Sequence, residues 1–189
     1  MDYYIRQGDR LLTACRPVMS QLARETGCDV LLASMYGESI LAVHQEPNAD
    51  GGTLAFGRGR PMPLFRGGGS KVIIASLSAA KHKRLYQDHA AEIAESGLGA
   101  SWKEFRGQML QIQRDGHVLS VGELDPNAAG AAVLVSSGSL AEPSAMIVVT
   151  TKARFALIDK ALLIEMMKTA ARQTTIASSR EDLLSLQYL

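Results

Sequence analysis

The residues best suited to chemistry lie in one run, Pro61-Met62-Pro63-Leu64-Phe65-Arg66-Gly67-Gly68-Gly69-Ser70-Lys71. A proline-stiffened loop narrows to three glycines and enters an apolar segment at residues 72–77. Glycine tolerates positive φ and close approach, so a glycine-rich helix entrance leaves backbone N–H groups facing open space. With the positive end of the helix dipole, those donors suit a carboxylate or a phosphate. The same residues would also serve as a plain turn with no ligand. A nucleotide-binding P-loop is ruled out. That motif ends Gly-Lys-Ser/Thr, and Gly69-Ser70-Lys71-Val72 places no hydroxyl after the lysine.

Other reactive groups are scattered. Neither Gly-x-Ser-x-Gly nor His-Glu-x-x-His occurs. His82 and His89 lie seven residues apart beside Lys81, Lys83 and Arg84, which reads as a wet helical face. His44 stands alone, and His117 follows the helix stop at Gly116 and reads as structural. Glu123 and Asp125 border a turn, where an acid–base pair is conceivable on spacing alone. Arg58, Arg60 and Arg66 read as solvated loop residues. Cys15 and Cys28 have no CxxC spacing and no histidine pair nearby, so two free thiols without zinc are expected. No catalytic residue, metal or cofactor is expected. The hydroxyls of Ser120 and Thr150, set among small apolar residues, instead suit an apolar small-molecule pocket with few polar groups.

The elements that must position these groups follow from periodicity. Residues 8–26 carry a helical stripe of Leu11, Leu12, Cys15, Val18, Met19, Leu22 and Ala23, interrupted by Pro17 and stopped by Gly27. A stripe so early suggests a helix that packs on a partner or on a preceding domain. Residues 30–35 and 40–45 read as a hairpin across Gly37, and residues 53–56 as a third strand. Helices follow over 72–77, from the Ser78 cap to Glu95, and from the Ser101/Glu104 capping box to Gly116. Strands return over 117–121, 131–135 and 145–150, the last apolar and β-branched and so expected at the centre. Phe155, Ile158, Leu162, Met166 and Ala170 mark one long final helix to about residue 178. Short strands in two groups around a helical block predict an α+β fold, an antiparallel sheet flanked by helices.

Composition sets outer limits. At 189 residues the chain is expected to form a single domain (1–189): an N-terminal helical segment at 1–27, a core at 28–178 and a tail at 179–189. Twenty basic against nineteen acidic residues leave a net charge of +1, no footprint for nucleic acid or an anionic membrane. No apolar run approaches membrane-spanning length and no signal peptide opens the chain, which predicts a cytoplasmic protein.

Two motifs carry a family resemblance. The Pro-Met-Pro-Leu-Phe loop leading to Gly-Gly-Gly-Ser-Lys71 resembles a Leu-Pro-x-(His)-x-x-x-x-Gly-Lys-Ala segment. Gly116-His-Val-Leu-Ser120-Val-Gly-Glu123 matches Gly-x-x-x-Asp/Ser-x-x-Glu. Both are similar to the effector-binding domain of the isocitrate-lyase-regulator (IclR) family of bacterial transcription regulators, over nearly the whole chain. The resemblance implies a GAF-like fold with an N-terminal linker helix, a homodimer or homotetramer, and no enzymatic activity. It implies a small-molecule effector, an organic acid or aromatic metabolite, that controls DNA binding through oligomer geometry. DNA contact would come only through a winged helix-turn-helix absent from this chain. The alternative is a stand-alone binding protein or enzyme on the same fold. By the same resemblance the effector carboxylate meets the amides of Gly68, Gly69 and Ser70, with Met62, Ser120, Gly130, Val148 and Thr150 around its body. Ser70 stands where the family has glycine, and residues 130–137 fit the signature loosely. Ser120, Gly130 and Val148 imply a roomier, less polar pocket than a two- or three-carbon keto acid needs.

Overall fold

The computed structural model describes residues 10–48, 59–135 and 142–186, with side chains as far as residue 175. Its spine is a pair of apolar strands. β1 (Asp29–Tyr36) and β6 (Ser144–Thr151) are each buried along all but the last residue. They run antiparallel, with Val30 opposite Val148 and Leu32 opposite Met146. β2 (Ser39–Glu46) folds back on β1 through a turn at Gly37, whose φ of 60° suits glycine. The two-residue β3 (Pro61–Met62) closes that edge. On the other side lie β5 (Ala128–Val135) and the edge strand β4 (Val118–Val121). The order is β3-β2-β1-β6-β5-β4, antiparallel throughout.

Successive side chains of a strand point to opposite faces, so this central pair feeds two separate cores. Val30, Leu32, Ala131, Met146 and Val148 pack under α1 (Arg10–Thr26) and α6 (Lys160–Leu186). Leu31, Ala33, Ala132, Ile147 and Val149 pack under α2 (Gly68–Ala75), α3 (Ala79–Glu95) and α4 (Trp102–Asp115). α3 and α4 begin at the caps the sequence indicates. Ser78 Oγ accepts from Lys81 N–H, Ser101 and Glu104 form the capping box, and Gly116 ends α4 at φ 68°.

Several expectations are corrected. The α1 stripe finds its cover within the chain: Leu12, Cys15, Met19, Leu22 and Ala23 are buried against the sheet and α6, with Leu11 and Val18 half-buried beside them. α1 also runs through Pro17, which sits on its exposed face where water replaces a lost backbone bond at least cost. The final helix is two. α5 (Lys152–Leu157) stops at Ile158, whose ψ of 138° is extended, and Asp159 caps α6 by accepting from the amides of Ala161 and Leu162. That break resets the helical phase, leaving Leu162 61% exposed while Leu163 is 2% exposed. The strand expected at residues 53–56 lies outside the described residues.

His82 is not on a wet face. It is fully buried, and its Nε2–H donates to the carbonyl of Ile74 (2.7 Å) in the last turn of α2. Its Nδ1 accepts from the Arg106 guanidinium of α4 (2.9 Å), so one neutral imidazole ties three helices together. Gln113 bonds the carbonyl of Ala75 beside it. Burial above all, and Arg106 in addition, push the His82 pKa below its ordinary 6.5, while the bond to Ile74 opposes them.

α2 rests on the sheet through glycine. A Cβ on Gly68 would meet the Cβ of Ala132 at 3.2 Å, and one on Gly69 would meet Ile147 Cδ1 at 2.3 Å. Gly130 is tighter, since a Cβ there would meet the carbonyl oxygen of Val148 at 2.1 Å.

Two predictions follow from this packing. A histidine with a depressed pKa stabilises the fold above its unfolded value, and that contribution is lost as pH falls through the folded value. Urea unfolding should therefore show His82→Leu destabilised by about 2 kcal/mol at pH 7.5, from the stranded carbonyl and guanidinium. That gap should narrow as pH drops below 6.5, and a gap constant to pH 5 contradicts the assignment. For the glycines, Gly69→Ala presses on the Ile147 side chain, its Cδ1 first and then its Cγ1 at 2.9 Å, whereas Gly130→Ala presses on backbone. The first should cost about 1 kcal/mol and the second at least twice that, with Ile147→Val, which removes Cδ1 but keeps Cγ1, relieving part of the first and none of the second. Equal losses, or relief of both, would refute this reading.

Candidate functional site

Where the N-terminus of α2 crosses β4, β5 and β6, the packing leaves a cavity of about 50 Å³. Its floor is Leu31, Ile147 and Val149 with the backbone of residues 128–131, and its walls are Met62, Gly67, Gly68, Gly69, Ser120 and the segment Glu123-Leu124-Asp125. Gly67 caps α2 with φ 82° and ψ 147°, a conformation open to glycine. Leu124 lies directly over Gly67, since a Cβ there would meet Leu124 Cδ1 at 2.8 Å.

The cavity is polar at one end. The amides of Gly68, Gly69 and Ser70 are the first three of the helix and have no partner within it. Among the described residues no side chain caps them. Glu123 is close by without using them: its Oε2 accepts from Gly67 N–H (2.9 Å) and meets Lys71 Nζ at 2.6 Å. Asp125 is engaged with its own turn, accepting from Asn127 N–H at 2.7 Å. Ser70 Oγ is buried with no hydrogen-bond partner in the structure. Gly68 and Gly69 thus bring an uncapped helix start to the cavity, which suits an anion, over an apolar floor for whatever carries it.

Of the residues expected from the sequence, Met62, Gly68, Gly69, Ser120 and Gly130 meet at this cavity, and Ser70 adjoins it through α2. Val148 and Thr150 do not. Strand alternation turns them to the α1/α6 face, where Val148 belongs to the other core. The β6 side chains that reach the cavity are Ile147 and Val149, one residue away in register. Gly130 gives no extra room either: it lets β5 approach the Val148 carbonyl, and the cavity is small rather than roomy. Leu31 and Leu124 carry no local signal beyond being apolar. Lys71 and Glu123 sit within the two motifs, but their pairing across 52 residues is a tertiary fact.

Elsewhere the structure offers less. In the recess between α1 and β2, His44 and Glu46 are closed on each other at 2.6 Å. Among the described residues no group of three or more His, Cys, Asp or Glu side chains could hold a metal. Cys15 and Cys28 are both free and buried, and no described helix is long and apolar enough to cross a membrane.

Comparison with known proteins agrees with this architecture. The profile of the family described as "Bacterial transcriptional regulator IclR C-terminal" matches residues 5–176. No curated protein matches. Among solved structures, the C-terminal domain of a transcriptional regulator from Vibrio cholerae is 25% identical with a TM-score of 0.71, covering 86% of this chain and 94% of that one. A transcriptional regulator from Rhodococcus sp. RHA1 is 17% identical with a TM-score of 0.80, covering 94% and 73%. An IclR homolog from Microbacterium hydrocarbonoxydans, complexed with 4-hydroxybenzoate, is 14% identical with a TM-score of 0.73, covering 90% and 69%. A match over this much of the chain, on an antiparallel six-stranded sheet with helices on both faces, places the protein in the IclR family of bacterial transcriptional regulators, as their C-terminal effector domain.

Proposed function

We propose that this domain senses a small organic acid whose carboxylate docks on the amides of Gly68, Gly69 and Ser70. The observation that carries the reading is that α2 opens with amides no described side chain caps, and that its first two residues, Gly68 and Gly69, line a cavity with an apolar floor. Helix N-terminal donors bind anions through orientation and dipole together, without a free cationic side chain. The floor of Leu31, Ile147 and Val149 suits an apolar body better than a two- or three-carbon keto acid. The relative that holds 4-hydroxybenzoate supports an aromatic acid. Ligand sites usually span about 300–1,000 Å³, so an aromatic ring enters only as Leu124 and Met62 give way.

The signal then passes to DNA through the geometry of a cytoplasmic homodimer or homotetramer, the DNA contact being made by another domain. Two apolar side chains on the edge strand, Leu119 (42% exposed) and Val121 (55%), support self-association here better than α1 does. Sedimentation velocity at micromolar concentration should show a species larger than the 20.3 kDa chain. A monomer contradicts the oligomer.

A thermal-shift series tests the effector. Benzoate and 4-hydroxybenzoate should raise Tm by mass action, and benzamide, which lacks the charge, should not. Ser120→Leu fills the cavity from a half-exposed edge strand and should abolish the response with little loss of stability. Thr150→Val, on the far face, should leave it intact. A response to benzamide equal to that of benzoate, or one lost in Thr150→Val and kept in Ser120→Leu, removes the placement.

A further inference from the structure

The charge of this cavity is set by a pair that the effector reading leaves unused. Its charged lining residues, Glu123 and Asp125, are both acids, and no lysine or arginine lines it among the described residues. Lys71, whose side chain is 12% exposed, is held at 2.6 Å by Glu123, through the oxygen that also accepts from Gly67 N–H. Its charge is therefore matched before any ligand arrives. Asp125 accepts from an amide in its own turn and, among the described residues, lies in no ion pair.

What remains for a ligand is the positive end of α2, equivalent to about half an elementary charge. That complements one carboxylate. A second anionic group on the same small ligand would lie among Glu123 and Asp125 with no cation among the cavity's lining residues to meet it, in surroundings where charges interact more strongly than in water. Lys152 Nζ stands behind Gly122, outside that lining.

We propose that Glu123 is a specificity-determining residue, restricting the effector site to monoanionic carboxylates by neutralising Lys71. This rests on the effector reading above. Glu123→Gln would keep an acceptor for Gly67 N–H while leaving the Lys71 charge unneutralised beside a cavity wall. Lys71→Met would do the reverse, leaving two acids unopposed.

The test compares terephthalate with 4-carbamoylbenzoate, which has the same ring and length but one charge fewer. Calorimetry on the intact chain should show the carbamoyl acid binding at least ~10-fold more tightly than terephthalate. In Glu123→Gln that ratio should shrink by about tenfold, with the gain in terephthalate affinity. In Lys71→Met both acids should weaken, terephthalate more. Lys71→Met also serves if Glu123→Gln does not fold. A ratio unchanged in the variants, or terephthalate preferred by the parent, overturns the inference while the effector reading stands. If neither these acids nor benzoate bind the parent or the variants, the effector reading fails and this inference with it.

Discussion

The site depends on a helix touching a sheet with almost nothing between them. Gly68 and Gly69 bring the first turn of α2 against Ala132 and Ile147, at a spacing where a side chain on Gly69 would collide. Close approach at a helix N-terminus has two consequences. The orphan amides end against the sheet rather than in bulk water, and the small residual space becomes a cavity with one polar end. The sheet is prepared for this contact by alanines and glycine on β5, where Gly130 lets the backbone close up on Val148. Helix and sheet are thus matched by what each lacks.

Around that contact the chain satisfies one polar group with another. The C-terminal carbonyls of α2 are received by His82 and Gln113, so both ends of a short helix are fixed by residues distant in sequence. At its start, Glu123 takes the Gly67 amide and the Lys71 ammonium, leaving the next three amides unclaimed. The segment carrying Glu123 also touches the opposite layer. Asn127 accepts from Lys152 N–H at the first turn of α5, which follows β6 directly. A change at the cavity therefore has a short covalent and hydrogen-bonded route to the α5/α6 side of the sheet.

Local signals made most of the fold legible. Ser78, Ser101, Glu104 and Gly116 set helix ends because capping is chemistry among neighbours in sequence. The hairpin and the central apolar strand were equally plain. What local pattern could not supply was phase. A strand buried on both faces shows no alternation, so Ser144–Thr151 gives no sign of which residues face which core. Val148 and Thr150 were expected at the cavity, and Ile147 and Val149 are there. Likewise the break at Ile158 and Asp159 moved the α6 stripe, and His82 looked exposed amid lysines although its partners lie eight and twenty-four residues away. The glycine-rich entrance was expected to be a turn before a helix at 72–77, but the helix begins at Gly68, so two of the three glycines form its first turn. Glu123 was visible as an acid beside a turn and a motif residue, without its tie to Gly67 and Lys71.

The central claim, an acid anchored on the first amides of α2, is tested most directly by backbone amide NMR on titration with benzoate. The account predicts that Gly68, Gly69 and Ser70 show the largest saturable amide shifts, with a smaller response at Glu123 and little at Val148 or Thr150. Saturable shifts centred elsewhere, such as on the Lys81–Arg84 side of α3 or between α1 and β2, with those three amides unmoved, would contradict it.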